Sequence, residues 1–269
     1  MAQRRIVVVH AGFHKTGTTS VQALLRQHGK QIWPQHALVL PPRIPSILRV
    51  ATLHSALRDP LSLNEFAFRL KEFLATLDLG KKRGLCISAE DLAGLIPGRN
   101  GHPGYEATPT LMATMARCLK EALGDEIELT FFFSTRAAEA WLRSTYWQNL
   151  RGSRLTERFE SYAEPLAECS DLEAIVQQVR DKVSPHRVIS RPLEETRDLP
   201  LGPGEPILDL LELHSAARAE IKPVKAYNAA PPDKLVDAVL RLNRSNLDDE
   251  SLAREKAQAL GRFALKRDN

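Results

Sequence analysis

The sequence predicts an α/β fold, with a P-loop-type parallel β-sheet of about five strands and helices on both faces. Short apolar runs alternate along the chain with amphipathic stretches of helical period. The run over 127–133 is almost continuously apolar, which suits a strand covered on both faces. The first apolar run leads through a glycine-containing loop directly into a helix. With 269 residues, the chain is expected to form a single domain over 1–269.

Apolar runs bounded by turn residues or charges predict the strands of this sheet. The first run is rich in valine and isoleucine, whereas the second is short and ends at a Pro-Pro pair. The predicted strands are 5–10, 37–40, 84–88, 127–133 and 186–190.

Capping patterns predict where several helices begin. Ser62 and Glu65 have the spacing of a capping box, and so do Ser170 and Glu173. Thr108 precedes a proline and is the expected N-cap of another helix. The predicted helices cover 62–79, 109–123, 137–150 and a stretch that includes 175–183.

Proline and glycine are dense over 192–232, most of all in Pro200-Leu-Gly-Pro-Gly-Glu-Pro206. We expect irregular segments that lie over the α/β body, either as a lid on a site or as a connector. Apolar residues return at helical spacing after this segment, so 233–265 is expected to be a helical C-terminus.

The composition is that of an ordinary globular protein. With 43% hydrophobic and 26% charged residues, the chain does not have the composition of a disordered protein. Cys86, Cys118 and Cys169 are too few and too widely spaced for a disulfide scaffold, and no His/Cys cluster suggests a metal site. The net charge is only +4. No basic stripe with interleaved aromatic residues suggests nucleic-acid binding.

The start of the chain does not resemble a secretory signal. Only four apolar residues, Ile6 to Val9, precede a histidine. No run approaches the roughly 18 apolar residues that a membrane span needs. We therefore expect a cytoplasmic protein without a transmembrane segment, whose oligomeric state the sequence does not indicate.

The loop after the first strand carries the strongest functional signal. Gly12 and Gly17 lie between a strand and a helix whose first N–H groups are unpaired and form an anion site. Lys15 adds a positive charge, and Thr18 and Thr19 add hydroxyl donors. The alternative is an ordinary strand-to-helix turn with a solvated lysine.

The spacing in this loop differs from that of the common nucleotide loop, GxxxxGK[ST], in which lysine directly follows the second glycine. Gly12 and Gly17 have the expected separation, but Thr18 takes the place of the lysine and Lys15 precedes Gly17 by two residues. The charge therefore reaches another part of the ligand, which argues against an ordinary ATPase or GTPase.

The stretch His14-Lys-Thr-Gly-Thr-Thr19 resembles the 5′-phosphosulfate-binding loop of the sulfotransferases that use 3′-phosphoadenosine 5′-phosphosulfate (PAPS). That loop typically reads Lys-x-Gly-Thr-Thr after the first strand. Ser20 stands where many members have an aromatic residue that stacks on adenine, so no adenine-stacking residue is identified. The resemblance implies that the 5′-phosphosulfate is held by Lys15, Thr16, Gly17, Thr18 and Thr19.

A second anion site is expected where the strongest strand ends in Arg136. Ser144 follows eight residues later, near the same face of the next helix and roughly 10 Å along it. An extended arginine and a phosphate can bridge that gap. The pair matches the 3′-phosphate motif of the same family, which implies that Arg136 and Ser144 bind the 3′-phosphate. The alternative is an amphipathic helix whose arginines face water.

Glu90 is the candidate general base, because sulfuryl transfer to a hydroxyl or amine needs a proton acceptor. Glu90 and Asp91 follow a core strand, where open α/β sheets place their sites. Members of the family use a histidine or a glutamate in the comparable region. His14 and His54 are the other candidates, and Glu90 could instead be a solvated residue at the start of a helix. Lys15 is expected to stabilise the charge on the leaving phosphate.

Together these features predict a PAPS-dependent sulfotransferase that releases adenosine 3′,5′-bisphosphate (PAP), needs no metal and acts on a small-molecule, lipid or glycan acceptor. A P-loop kinase or NTPase using ATP and Mg²⁺ is the first alternative, because Glu90-Asp91 mimics an acidic, metal-holding strand end. A non-catalytic nucleotide-binding protein is the second. Lys222, Lys225 and Arg262 are further candidates for phosphate contacts.

Overall fold

The computed structural model describes residues 4–80, 83–224 and 231–265, so Lys225 lies outside the described residues. Within these ranges a parallel sheet forms the centre of the protein, with the strand order β2-β3-β1-β4-β5. The predicted fold class and the predicted strands are confirmed, with bounds that differ by one or two residues. The strands are β1 (Arg5–His10), β2 (His36–Val39), β3 (Gly84–Ser88), β4 (Ile127–Thr135) and β5 (Arg187–Pro192).

Helices cover both faces of the sheet. The helices, in chain order, are α1 (Thr18–Gln27), α2 (Gly29–Ile32), α3 (Pro45–Leu57), α4 (Pro60–Ala75), α5 (Thr108–Leu123), α6 (Ala138–Gly152), α7 (Phe159–Ala163), α8 (Leu172–Val183), α9 (Leu193–Thr196), α10 (Glu205–Leu210), α11 (Ser215–Ala219), α12 (Asp233–Asn243) and α13 (Asp249–Leu265). Over the described ranges, none of them combines the length and the apolar character needed to cross a bilayer.

Two hydrophobic cores lie on the two faces, because successive side chains of a strand point in opposite directions. Val7 and Val9 of β1 belong to the larger core, which α3, α4, α5, α6 and α8 cover. Val8 lies in the smaller core with residues of α1 and α10. This alternation explains why the strands read as continuous apolar runs rather than alternating ones.

The start of α4 differs from the prediction. Asp59 is the N-cap, and its carboxylate accepts hydrogen bonds from the N–H groups of Leu61 and Ser62. Ser62 lies inside the helix, where its hydroxyl donates to the carbonyl of Asp59. An aspartate followed by proline is the stronger start signal, because the carboxylate caps the helix and proline is preset for its first turn.

Two other caps were also predicted incorrectly. Asp171 rather than Ser170 caps α8, accepting a hydrogen bond from the N–H of Ala174 at 3.1 Å. Thr108 is the first residue of α5 rather than its cap, and its hydroxyl donates to the carbonyl of Ala93. The hydroxyl therefore ties α5 to the segment after β3 and not to its own helix.

The proline-rich segment over 192–232 is more regular than expected where it is described. It forms α9, α10 and α11, and Ile207, Leu208 and Leu211 are buried in the smaller core. Part of this segment therefore packs on the sheet as a component of the smaller core. α12 and α13 follow it, and α12 packs against α6.

Candidate functional site

The carboxyl ends of β1, β3 and β4 meet at one edge of the sheet. From β1 the chain crosses to β2 on one side, and from β3 it crosses back over β1 to β4 on the other. Such a topological switch point is where open α/β sheets bind ligands. Lys15, Glu90 and Arg136 each follow one of these three strands, so the sheet brings the predicted site residues to one edge.

The loop between β1 and α1 presents its backbone toward this edge. Lys15 and Gly17 both have left-handed backbone conformations, with φ of 68° and 95°. Turns of this kind point successive N–H groups into an anion-binding concavity. No described side chain caps α1 at Gly17. The N–H groups of Thr18 and Thr19, in the first turn of α1, are therefore available to donate hydrogen bonds to an anion.

The threonines of the loop have different environments. Thr16 is fully buried and turned inward, where its hydroxyl donates to the carbonyl of Phe13 at 2.6 Å and contacts the Ser134 hydroxyl at 2.6 Å. Thr18 is also buried, whereas Thr19 is exposed. The Thr16 side chain thus stabilises the loop from its buried side. Only the backbone N–H of Thr16 is left to bind an anion in the loop.

The Lys15 ammonium lies 3.4 Å from the side-chain oxygen of Gln148 on α6. The pKa of Lys15 is lowered to about 8, mainly by burial and also by the positive charges of Arg151 and Arg136. The negative charge of Glu90 acts in the opposite direction. Lys15 is therefore partly desolvated and lies among mostly positive charges, which favours the binding of an anion.

One face of α6 lies along the loop. The indole N–H of Trp141 donates to the carbonyl of His14 at 2.9 Å, and Gln148 contacts Lys15. Ser144 and Arg151 lie on the same face, because residues three or four apart are neighbours on a helix. The sequence singled out Ser144 but not Gln148, although its spacing of four residues from Ser144 is the signal that could have found it.

Arg136 contacts the loop directly. Its guanidinium donates to the carbonyl of Lys15 at 3.1 Å. The side chain is half-buried, and its Nε atom is buried without a hydrogen-bond partner among the described residues. Burial lowers the pKa of Arg136, although the guanidinium remains charged.

Glu90 is the first residue of a short 3-10 helix, Glu90–Ala93, whose N-cap is Ala89. Its carboxylate accepts a hydrogen bond from Gln22 of α1 at 2.6 Å, and the side chain is half-buried. The negative charge of Glu90 raises the pKa of Lys15, against the effect of burial. The carboxylate is thus positioned on the loop side of the sheet edge by a neighbouring helix.

His14 is held by a hydrogen-bond network that the sequence did not reveal. Nε2 lies 2.9 Å from a carboxylate oxygen of Asp91, and Nδ1 lies 2.9 Å from the Tyr105 hydroxyl. The Asp91 carboxylate can only accept, so Nε2–H donates to it, and Nδ1 is assigned as the acceptor of the Tyr105 hydroxyl. The same hydroxyl accepts the backbone N–H of His14 at 3.1 Å. Both ring nitrogens are engaged, so this network fixes the side chain of His14 beside the loop.

The remaining candidates lie elsewhere. His54 is buried between α3 and α4, where Nδ1 pairs with the Ser62 hydroxyl at 2.9 Å and burial lowers its pKa. The backbone of Lys222 contacts His28 at the far end of α1 from the loop. Arg262 bonds to the carbonyl of Gln258 within α13. The described ranges contain no group of three His, Cys, Asp or Glu side chains arranged to hold a metal ion.

No family model matches this sequence. No curated protein matches it either. Among solved structures, the chain is similar to a sulfotransferase from Alicyclobacillus acidocaldarius, with 15% sequence identity and a TM-score of 0.45 over 92% of this chain and 98% of that chain. Because a similarity this distant does not transfer a function, the function must be argued from the residues at the sheet edge.

Proposed function

We propose that this protein is a sulfotransferase that transfers a sulfuryl group from PAPS to a hydroxyl or amine of an acceptor. The observation that carries the proposal is a 3.1 Å hydrogen bond from Arg136 to the Lys15 carbonyl, which joins the two elements that the sequence predicts to bind anions. PAPS has two separate anionic groups, at its 5′ and 3′ positions, and so requires two such elements.

The residues present fit this ligand. At the 5′ end, the N–H groups of Thr18 and Thr19 and the ammonium of Lys15 would hold the phosphosulfate. At the 3′ end, the buried Nε of Arg136 has no partner among the described residues, and an anion would supply one. Ser144 lies on the face of α6 that borders the loop and would add a neutral donor.

The chemistry divides among three groups of this chain. Bound PAPS supplies the sulfuryl group, whose sulfur–oxygen bond to phosphate breaks as a new bond to the acceptor oxygen or nitrogen forms. Glu90 would accept the proton that the acceptor loses. Lys15 and the loop N–H groups would stabilise the negative charge that builds on the leaving phosphate.

Calorimetric titration with PAP in EDTA, followed by ATP with Mg²⁺, tests the proposal. We expect metal-free PAP to bind and ATP with Mg²⁺ to bind more weakly. Lys15→Ala should weaken the binding of PAP, whereas the matched control Lys30→Ala, at an exposed position of α2, should not. Binding of ATP that needs Mg²⁺ and exceeds that of PAP would contradict the proposal and favour a kinase-like protein. Retained PAP affinity in Lys15→Ala would remove the loop from the site.

A further inference from the structure

Glu194 stands beside Arg136 because the strands that precede them are paired. β4 and β5 run parallel, with Thr135 opposite Pro192. The residues that follow these two positions therefore leave the sheet at the same edge. Glu194 belongs to α9, directly after β5, and its side chain is exposed.

The Glu194 carboxylate is directed at the N-terminus of α6. Its Oε1 accepts the backbone N–H of Ala137, the N-cap residue of α6, at 3.3 Å. The N-terminus of a helix stabilises negative charge. A carboxylate of the protein therefore occupies a position at which an anionic ligand group would otherwise be stabilised.

The same carboxylate acts on Arg136. Burial is the largest influence on the pKa of Arg136 and lowers it, while the negative charge of Glu194 raises it and the positive charge of Arg197 lowers it. Glu194 therefore lies within electrostatic range of the guanidinium whose Nε has no hydrogen-bond partner in the described structure. A second anion that approached this guanidinium would meet the charge of Glu194.

α9 also borders the loop. A Cβ atom added to Gly17 would come within 2.8 Å of the Leu193 side chain, so α9 packs closely against the loop at that residue. Glu194, the next residue, is thereby held at the rim of the site formed by the loop, Arg136 and α6.

We propose that Glu194 is a specificity-determining residue that weakens the binding of nucleotides carrying a 3′-phosphate by placing a negative charge beside Arg136 and the start of α6. This inference rests on the proposed function, because it assigns the 3′-phosphate to Arg136. Like charges brought together at a binding site lower affinity, and salt screens the effect. The carboxylate thus sets how much tighter PAP binds than adenosine 5′-phosphate.

Glu194→Gln tests this inference, because glutamine keeps an oxygen for the Ala137 N–H but loses the charge. We expect PAP to bind about three- to tenfold more tightly to the variant, with the affinity for adenosine 5′-phosphate unchanged. The gain should shrink in high salt, and it should be smaller in an Arg136→Ala background. Glu195→Gln, at the adjacent exposed residue, is the matched control and should bind both nucleotides like the original protein.

Equal affinity gains for the two nucleotides, or no gain for PAP, would overturn the role of Glu194 and leave the proposed function intact. A gain of the same size in Glu195→Gln would also overturn it, since the effect would then come from net charge alone. Failure of the unsubstituted protein to bind PAP would overturn the proposed function and this inference with it. Thermal unfolding of each variant verifies that the compared proteins are equally folded.

Discussion

The protonation state of Lys15 would control anion binding at the proposed site. Burial and the charges of Arg151 and Arg136 lower its pKa to about 8, so the ammonium is mostly charged at neutral pH but loses its proton just above it. An anion binds the charged form, and binding therefore favours protonation. The affinity for an anion is accordingly present below about pH 8 and lost as the pH rises through that value.

We expect the affinity for PAP to fall by up to about tenfold per pH unit above about pH 8. The phosphates are already fully ionised there, because their second pKa is about 6. Calorimetry over a pH series measures this. Lys15→Arg keeps its charge throughout and should show a flat profile. An equally steep fall in that variant would assign the pH dependence to another group.

Glu90 can be tested separately from binding. Glu90→Gln retains an oxygen for the 2.6 Å hydrogen bond from Gln22, so the local structure should persist. We expect PAP binding to be retained while the rate of sulfuryl transfer falls by about 10²- to 10⁴-fold. A radiolabelled transfer assay and calorimetry measure the two quantities.

Glu65→Gln, on α4 and ion-paired with Arg69, is the control and should leave the rate of sulfuryl transfer unchanged. An unimpaired Glu90→Gln variant would move the proton acceptor elsewhere. In that case Asp91 would be the next group to test, since its carboxylate is 44% exposed beside His14.

Among the elements, α6 organises the site most directly. Its face with Trp141, Ser144, Gln148 and Arg151 runs along the loop, and contacts from this face hold His14 and Lys15. Arg151 contacts Gln148 and adds a positive charge near the Lys15 ammonium. The pKa of Lys15 is thus partly a property of this helix.

Arg151→Gln should raise the pKa of Lys15, because a neighbouring positive charge is removed. The pH at which PAP affinity begins to fall should then move upward from about 8. The same pH series measures the shift. Arg143→Gln, on another face of α6 and paired with Glu139, should leave the midpoint unchanged. A midpoint that moves equally in both variants would contradict a local effect of Arg151.

Elements with a strong period or an uninterrupted apolar run could be predicted from the sequence, and elements that depend on tertiary contacts could not. β1, β3 and β4 were predicted because a strand that is buried on both faces appears in the sequence as a continuous apolar run. No bounds were predicted for α3, because no side chain caps its start and the exposed Leu53 and Leu57 obscure the helical period of its buried face. Asp59 and Asp171 cap their helices, but the nearby serines gave competing signals.

The same limit applies to the site. The loop and Arg136 could be identified because each lies within one continuous stretch. The network of His14, Asp91 and Tyr105 joins three distant segments, and only the folded sheet edge brings them together. Glu194 reaches Ala137 across 57 positions of the chain, through the pairing of β4 with β5, which no local pattern encodes.

On the scale of the whole molecule, the C-terminal helices anchor α6 from its far end. Lys256 of α13 is buried, and its ammonium donates to the carbonyls of Leu150 at 3.1 Å and Ser153 at 2.7 Å. Asn243 of α12 donates to the Leu150 carbonyl as well. These groups satisfy carbonyls at the end of α6 that have no intrahelical partner, and a positive charge is favourable there.

Lys256→Met should therefore destabilise the protein by about 1–3 kcal/mol, because buried carbonyls lose a charged donor while the apolar stem is kept. Urea unfolding followed by circular dichroism measures the free energy of unfolding. Lys234→Met, at an exposed position of α12, is the matched control and should change this free energy by less than about 0.5 kcal/mol. Equal stability of the two variants would mean that α13 does not hold α6. A selective loss in Lys256→Met would show that the C-terminal helices stabilise the helix on which the proposed phosphate site depends.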